Sequence, residues 1–301
     1  MADTQTPESS SDSLDADTAL LALRQQIDSI DQQIQVLINQ RAACAQQVAE
    51  VKLRCSPQHP AVFYRPEREA QVLRRVMERN DGPLPGKDMA RLFREIMSVC
   101  LALEQPLNVA YPGPEGSYTE QAVRKHFGFS VKGVAMSDAE QAFKAVEQGH
   151  CHYAVTPVES THEGLVSHTL DLFRRYDLRI CGEVELVLDP VDDKSLAADT
   201  RYLVLGKQYV APSGKDKTSI LLSMRDQPGV LHDVLGAFRQ RSISLTRLES
   251  RTLHQGQEHY SLFYIDFEGH QEDAPIKGLL SELSQGPDTL KVLGSYPRAV
   301  L

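Results

Sequence analysis

Apolar and small side chains recur at Leu20, Leu23, Ile27, Ile30, Ile34, Leu37, Cys44, Val48 and Val51 in steps of three and four, the period of one helical face. The spacing predicts a helix from an N-cap at Asp17 to Arg54, about 55 Å long at 1.5 Å per residue. No small domain covers such a helix alone, so a partner chain is expected along it. The next seam position after Leu37 is Arg41, and Arg24 and Lys52 stand beside the seam at its two ends. Burying an unpaired guanidinium is costly. Arg41 therefore implies a carboxylate partner or an anionic ligand inside a helical bundle, unless it snorkels outward or fixes register.

Ser56-Pro57 breaks this helix. Pro66 opens a second, with Glu67 and Glu69 in its first turn, where the macrodipole favours acids. That helix carries Val72, Leu73, Val76 and Met77 and ends at Asn80-Asp81-Gly82-Pro83. A third aligns Met89, Leu92, Phe93, Ile96, Met97, Cys100 and Leu103 and stops before Pro106. Residues 17–106 thus form an all-helical domain behind a disordered tail, 1–16, rich in Ser, Thr and Asp.

From Asn108 the texture changes. Short apolar runs at 109–111, 153–157, 179–188 and 202–205 alternate with helical stretches near 117–127, 138–148 and 165–175. This βα alternation over 107–206 predicts a mainly parallel sheet. Residues 207–217 read as a linker. Over 218–301 the order is strand (219–224), helix (229–240), strand (242–250), strand (259–268), helix (274–283) and strand (290–295). This is a βαββαβ unit with an antiparallel sheet and two helices on one face.

The chain has 301 residues and a net charge of -9, which argues against nucleic acid as a partner and suits a local cationic site for a small anionic metabolite. There is no apolar run long enough to span a membrane and no signal-peptide pattern, so a cytoplasmic location is expected. The five cysteines (Cys44, Cys55, Cys100, Cys151, Cys181) are scattered without a C-x-x-C pair and read as free thiols in a reducing compartment. His150-Cys151-His152 is poorly spaced for a metal, and no metal or cofactor is expected.

Several motifs gather more meaning together than alone. They are Leu20-Leu21-Ala22-Leu23-Arg24, Arg41, Lys52 and Arg68-Glu69 in the helical part, then Tyr111-Pro112-Gly113-Pro114-Glu115-Gly116-Ser117-Tyr118, Pro157-Val158-Glu159-Ser160-Thr161 and Thr200-Arg201-Tyr202 in the middle. Pro228-Gly229-Val230-Leu231-His232 and Leu248-Glu249-Ser250-Arg251-Thr252 follow in the last part. In this order they resemble the P-protein family, in which a chorismate mutase is fused to a prephenate dehydratase and a C-terminal ACT domain for phenylalanine feedback.

The resemblance implies a multidomain fold: an all-α mutase bundle, an α/β, periplasmic-binding-protein-like dehydratase lobe, and an α+β ACT domain. It also implies a homodimer. Arg41 and Arg68 would clamp the carboxylates of chorismate, Lys52 would approach the ether oxygen, Glu69 would accept from the substrate hydroxyl, and Arg24 would reach the partner subunit's site. Bidentate guanidinium forks suit carboxylates, and a lysine suits charge growing on an ether oxygen. Cys100 stands where relatives commonly have Ser, Arg65 where Asp is common, and Glu104 where many have Gln. An ionised Glu cannot donate, so Glu104 would have to be protonated to act there. Arg68-Glu69 alone reads equally as a charged first turn.

The dehydratase reading places Glu159, Ser160, Thr200 and Arg201 at its site, with Ser160 replacing the family's Asn. The family's chain passes after Gly182-Glu183-Val184-Glu185-Leu186 into a second lobe. Here Asp189-Pro190 turns and the chain returns at Thr200. The expected cleft has lost one wall, so dehydratase activity is expected to be impaired. The effector reading places Gly229, Val230, Leu231, His232, Glu249, Ser250 and Arg251 around L-phenylalanine, with Gly229 allowing close backbone approach and the helix start offering donors to a carboxylate. A fully bifunctional enzyme and a non-catalytic amino-acid-sensing scaffold stay open as rivals.

Overall fold

The computed structural model describes residues 9–55, 62–160, 164–188, 198–255, 258–286 and 289–301. Ser56-Pro57, Thr161 and the Asp189-Pro190 turn lie outside them. The chain divides into two compact units, residues 1–59 and 60–301.

The described part of the first unit is one helix, α1 (Ser9–Cys55). It starts eight residues ahead of the expected cap, so Asp17 is an interior position and 9–16 are helical rather than a tail. Its seam residues Leu20, Leu23, Ile27, Ile30, Ile34, Leu37, Val48 and Val51 are 46–62% exposed. An exposed aliphatic stripe of this length is the kind of surface that marks an interaction site.

The second unit opens with α2 (Pro66–Glu78) and α3 (Gly86–Glu104), packed together. Pro66 starts α2 as expected, and Ala70, Leu73 and Val76 face inward. The α/β lobe follows: β1 (Asn108–Pro112), α4 (Tyr118–Phe127), β2 (Lys132–Met136), α5 (Ala139–Glu147), β3 (Tyr153–Ser160), β4 (Gly164–Leu165), α6 (Ser167–Arg175), β5 (Arg179–Leu188) and β6 (Ala198–Gly206). Ser117 and Asp138 cap α4 and α5, accepting from the Glu120 and Gln141 amides. The sheet order is β2-β1-β3-β6-β5, with β4 beside β3. Only β2-β1-β3 is parallel; β6 runs antiparallel to both β3 and β5. The expectation of a mainly parallel sheet is corrected here. Parallel neighbours need a crossover of a dozen residues or more, and the connection from Leu188 to Ala198 is too short for one, so β5 and β6 form a hairpin.

The last module is β7 (Asp216–Arg225), α7 (Val230–Gln240), β8 (Leu245–Gln255), β9 (Glu258–Glu268), α8 (Ala274–Leu283) and β10 (Thr289–Pro297), in the sheet order β10-β7-β9-β8. Both faces of this sheet are covered. Ile220, Leu222, Phe263, Ile265 and Phe267 pack with Val234, Phe238, Ile276 and Leu279 from the two helices. The alternate residues Leu221, Leu262, Tyr264, Leu293 and Tyr296 join the core of the lobe with Phe173, Ile180, Leu203 and Leu205. Each such side chain contributes about 1.5–3 kcal/mol when fully buried. At the contact, a Cβ on Gly294 would lie 2.3 Å from the Ile180 carbonyl oxygen, so only glycine lets β10 approach β5 this closely.

Where α2 meets the lobe, the Tyr64 hydroxyl and His126 Nε2 share a 2.9 Å hydrogen bond, beside Phe127 and Tyr153. Burial, with the Arg94 guanidinium adding to it, lowers the His126 pKa to about 3. The folded state therefore resists a proton that the unfolded chain accepts near pH 6.5. Stability from this neutral histidine is complete above pH 6.5 and declines as pH falls towards 3. We expect a loss of about 1.4 kcal/mol at pH 5.5, measured as the difference in thermal midpoint between wild type and His126→Gln across pH 7.5 to 5.5. A gap between the two proteins that stays constant over this range would contradict the assignment.

Candidate functional sites

The candidate mutase residues lie in both units. On α1, Arg24 is exposed, while Arg41 and Lys52 are half-buried. Arg41 and Lys52 are eleven positions apart, close to three turns, so they share a face about 16 Å apart along the axis. In the second unit Arg68 lies on the exposed side of α2, along an open cleft of about 380 Å³ with Arg74, Arg75 and Lys215. Glu69, one residue on and so about 100° around the helix, turns inward, where Arg94 Nε donates to its Oε1 at 3.3 Å. Burial raises the Glu69 pKa, and Arg94 pulls it back. Arg68 and Glu69 thus face different surroundings. Cys100 is 2% exposed inside α3, and Glu104 is the last residue of that helix, half-buried and engaged by a polar partner. Arg65 pairs with the buried carboxylate of Glu67. Arg94, which also donates to the Lys125 carbonyl at 2.7 Å, was not singled out by the sequence; a lone Arg in an amphipathic helix reads as solvated.

The dehydratase motifs, far apart in sequence, meet across β3 and β6: Glu159 is opposite Arg201, and Ser160 opposite Thr200. Thr200 is buried, its hydroxyl hydrogen-bonded to Tyr202, whose phenol burial raises to about 12. The two charged members are taken up by the last module. Arg201 donates to Glu183 at 3.1 Å from Nε, to Asp266 at 2.7 Å and to the Tyr296 hydroxyl at 3.0 Å. Burial alone would lower its pKa, but Tyr296, Asp266 and Glu183 outweigh that and raise it. Lys217 adds a 2.8 Å contact to Glu183, and Ser219 donates to Asp266 at 2.6 Å. Glu159 accepts from Arg247 at 2.7 Å.

The effector candidates gather more tightly. Gly229, Val230, Leu231, His232, Ser250 and Arg251 line one cavity of about 270 Å³, together with Asp226 and Phe263. Gly229 has φ +89°, a left-handed conformation suited to glycine, and precedes the first turn of α7. Glu249 lies outside this cavity, 3.5 Å from Arg247. At His150-Cys151-His152, Cys151 is buried, while His152 accepts from the Asn108 amide at 3.0 Å and meets Gln105 at 3.3 Å. Among the described residues no group of three His, Cys, Asp or Glu side chains could hold a metal ion.

Comparison with known proteins gives each part of this architecture a counterpart. Family models match residues 23–105 as chorismate mutase type II, 109–191 as prephenate dehydratase and 218–285 as ACT domain. The bifunctional chorismate mutase/prephenate dehydratase of Stutzerimonas stutzeri is 40% identical over 361 positions, covering 94% of this chain and 98% of that protein. The chain belongs to the bifunctional chorismate mutase/prephenate dehydratase family. The Pseudomonas aeruginosa member is likewise 40% identical, over 360 positions. These alignments exceed the 301 residues of the chain, so the relatives carry residues without a counterpart here. A prephenate dehydratase structure from Streptococcus mutans, 31% identical, superposes with a TM-score of 0.54 and covers 64% of this chain and 98% of that one.

Within this family member the lobe–ACT charge cluster is open to direct test. Arg201→Ala leaves Glu183 and Asp266 buried with fewer partners, at an expected cost of about 3–5 kcal/mol. The thermal midpoint should fall by roughly 10 °C or more, and Arg201→Lys should recover part of it. A change below about 1 kcal/mol in chemical denaturation would show that the cluster is dispensable.

Proposed function

We propose that this chain is a homodimeric, cytoplasmic chorismate mutase of phenylalanine biosynthesis, that its ACT domain binds L-phenylalanine, and that its dehydratase step is impaired. The observation that carries the mutase reading is the set of cations on α1, Arg24, Arg41 and Lys52, on a helix that carries a long exposed aliphatic seam. A second copy laid along that seam would bury it and bring Arg24 of one protomer to the other's site. Among the described residues no helix is long and apolar enough to cross a membrane.

The chemistry asks little of such a site. Chorismate rearranges to prephenate within one molecule, with no nucleophile, base or cofactor. The enzyme holds a dianion in its compact conformer, which removes orientational entropy from the barrier. In this reading Arg41 and Arg68 clamp the two carboxylates, and Lys52 stabilises charge on the ether oxygen as that bond breaks. Glu69 accepts from the substrate hydroxyl; a carboxylate has lone pairs for several donors, so its bond to Arg94 leaves that role open. Arg41→Ala and Lys52→Ala should each lower chorismate turnover by about 10²–10³-fold while the protein stays folded, since the loss of one such donor costs about 3–4 kcal/mol. Near wild-type turnover in both variants would end the mutase assignment.

The dehydratase reading rests on Thr200, whose hydroxyl could donate to the departing hydroxyl of prephenate. Two features support impairment. The strands that would lead into and out of a second lobe are paired as the β5–β6 hairpin, and Arg201 and Glu159 hold ACT residues. A half-open cleft also fails to exclude water or hold both ends of prephenate. At neutral pH, where spontaneous decomposition is slow, phenylpyruvate should form no faster with wild type than with Thr200→Ala. Formation well above background that disappears in Thr200→Ala would instead favour the fully bifunctional enzyme.

A further inference from the structure

Strand β8, which carries Glu249-Ser250-Arg251, touches the dehydratase lobe through two ion pairs of unlike character. Arg247, largely buried, reaches Glu159 on β3 at 2.7 Å. Four residues on, Arg251 Nη1 donates to Asp171 Oδ1 on α6 at 2.8 Å, and these two side chains are 31% and 44% exposed. Arg251 therefore serves two places at once: it closes on the lobe, and it is the one guanidinium among the described residues lining the 270 Å³ cavity beside Gly229. That cavity presents Asp226 to an ammonium group and Phe263 to an apolar side chain, so a zwitterionic amino acid entering it has Arg251 as its carboxylate partner.

We propose that the Arg251–Asp171 pair is a ligand-sensitive latch between the ACT domain and the dehydratase lobe, opened when the carboxylate of a bound amino acid takes the Arg251 guanidinium. The inference rests on the reading of this cavity as the effector site. A partly exposed pair is worth only about 0–1 kcal/mol, so a charge-assisted fork to a ligand carboxylate displaces it. The buried Arg201 cluster meanwhile keeps the two modules attached. Opening the latch frees α6 at Asp171. The end of α6 stays fixed, because Lys291 donates to the Phe173 and Tyr176 carbonyls at 3.0 Å each. What loosens is the exposed face of the helix about Asp171, because its first turn is still held by the Thr169 hydroxyl donating to the Pro157 carbonyl at 2.8 Å and the Tyr264 hydroxyl donating to the Leu170 carbonyl at 3.1 Å. Pro157 lies on β3, the strand that presents Glu159 and Ser160.

Coupling of this kind is reciprocal. Removing the lobe's claim on Arg251 must tighten ligand binding as surely as ligand loosens the lobe. The test is calorimetric titration of L-phenylalanine into the full chain and into Asp171→Asn, with amide hydrogen exchange followed over α6. Asp171→Asn should bind about two- to five-fold more tightly. In wild type, ligand should speed exchange of the α6 amides about Asp171, whereas in the variant exchange there is already fast and ligand leaves it unchanged. Equal affinity in the two proteins overturns the latch and leaves the effector reading standing. Failure of wild type to bind L-phenylalanine at millimolar concentration overturns the effector reading and the latch with it.

Discussion

Two carboxylates from different sheets, Glu183 of β5 and Asp266 of β9, are buried within reach of one guanidinium. Neither could be buried ionised on its own, because taking an unpaired charge out of water costs several kcal/mol. Arg201 makes both tolerable, with Lys217 and the Ala299 amide donating to Glu183 and the Ser219 hydroxyl donating to Asp266. The position of the ACT sheet follows from this arrangement. The apolar half of the contact, from Leu221 and Tyr264 to Ile180 and Leu203, is non-directional and would tolerate sliding. The charge cluster, and the glycine at 294 that lets two backbones touch, fix one register.

The same cluster changes the meaning of a motif. Thr200-Arg201-Tyr202 has the composition of a substrate site, and the fold does place Thr200 and Arg201 opposite Ser160 and Glu159. Yet the two charged side chains spend their hydrogen bonds on the neighbouring module. A guanidinium bound on three sides is a poor ligand for an incoming dianion, because binding would have to break contacts that burial makes strong.

Much of the fold was legible in the chain. Pro66, Ser117 and Asp138 mark helix starts because they satisfy or omit the orphan amides there, and Ala274–Leu283 matched its helix residue for residue. The strand Lys132–Met136 was missed, as its five residues mix Lys, Gly and Ala with a single strong β former, Val134. The start of α1 was misplaced since Ser and Asp, good caps, also occur inside a helix that continues through them. At the candidate sites, the residues that line the cavity beside Gly229 were readable as a group because they are local to one turn and one strand end. The partners of Glu69, Glu159 and Arg201 were not, because a charged residue in sequence carries no record of which distant charge meets it. One signal was available: Ile220-Leu221-Leu222 and Leu262-Phe263-Tyr264-Ile265 are apolar at every position, which an antiparallel sheet shows only when both faces are covered.

The shared core between the lobe and the ACT sheet also bears on inheritance. Modules joined by flexible linkers can be exchanged between genes, because each carries a complete surface of its own. Here the outer face of the ACT sheet is apolar and the lobe's β5 edge is shaped to a glycine on the other side. A chimera that received a foreign ACT domain would expose one greasy face and collide at a Cβ on the other. The last two modules of this chain therefore form a single heritable unit, open to gradual co-variation across their contact and closed to recombination within it.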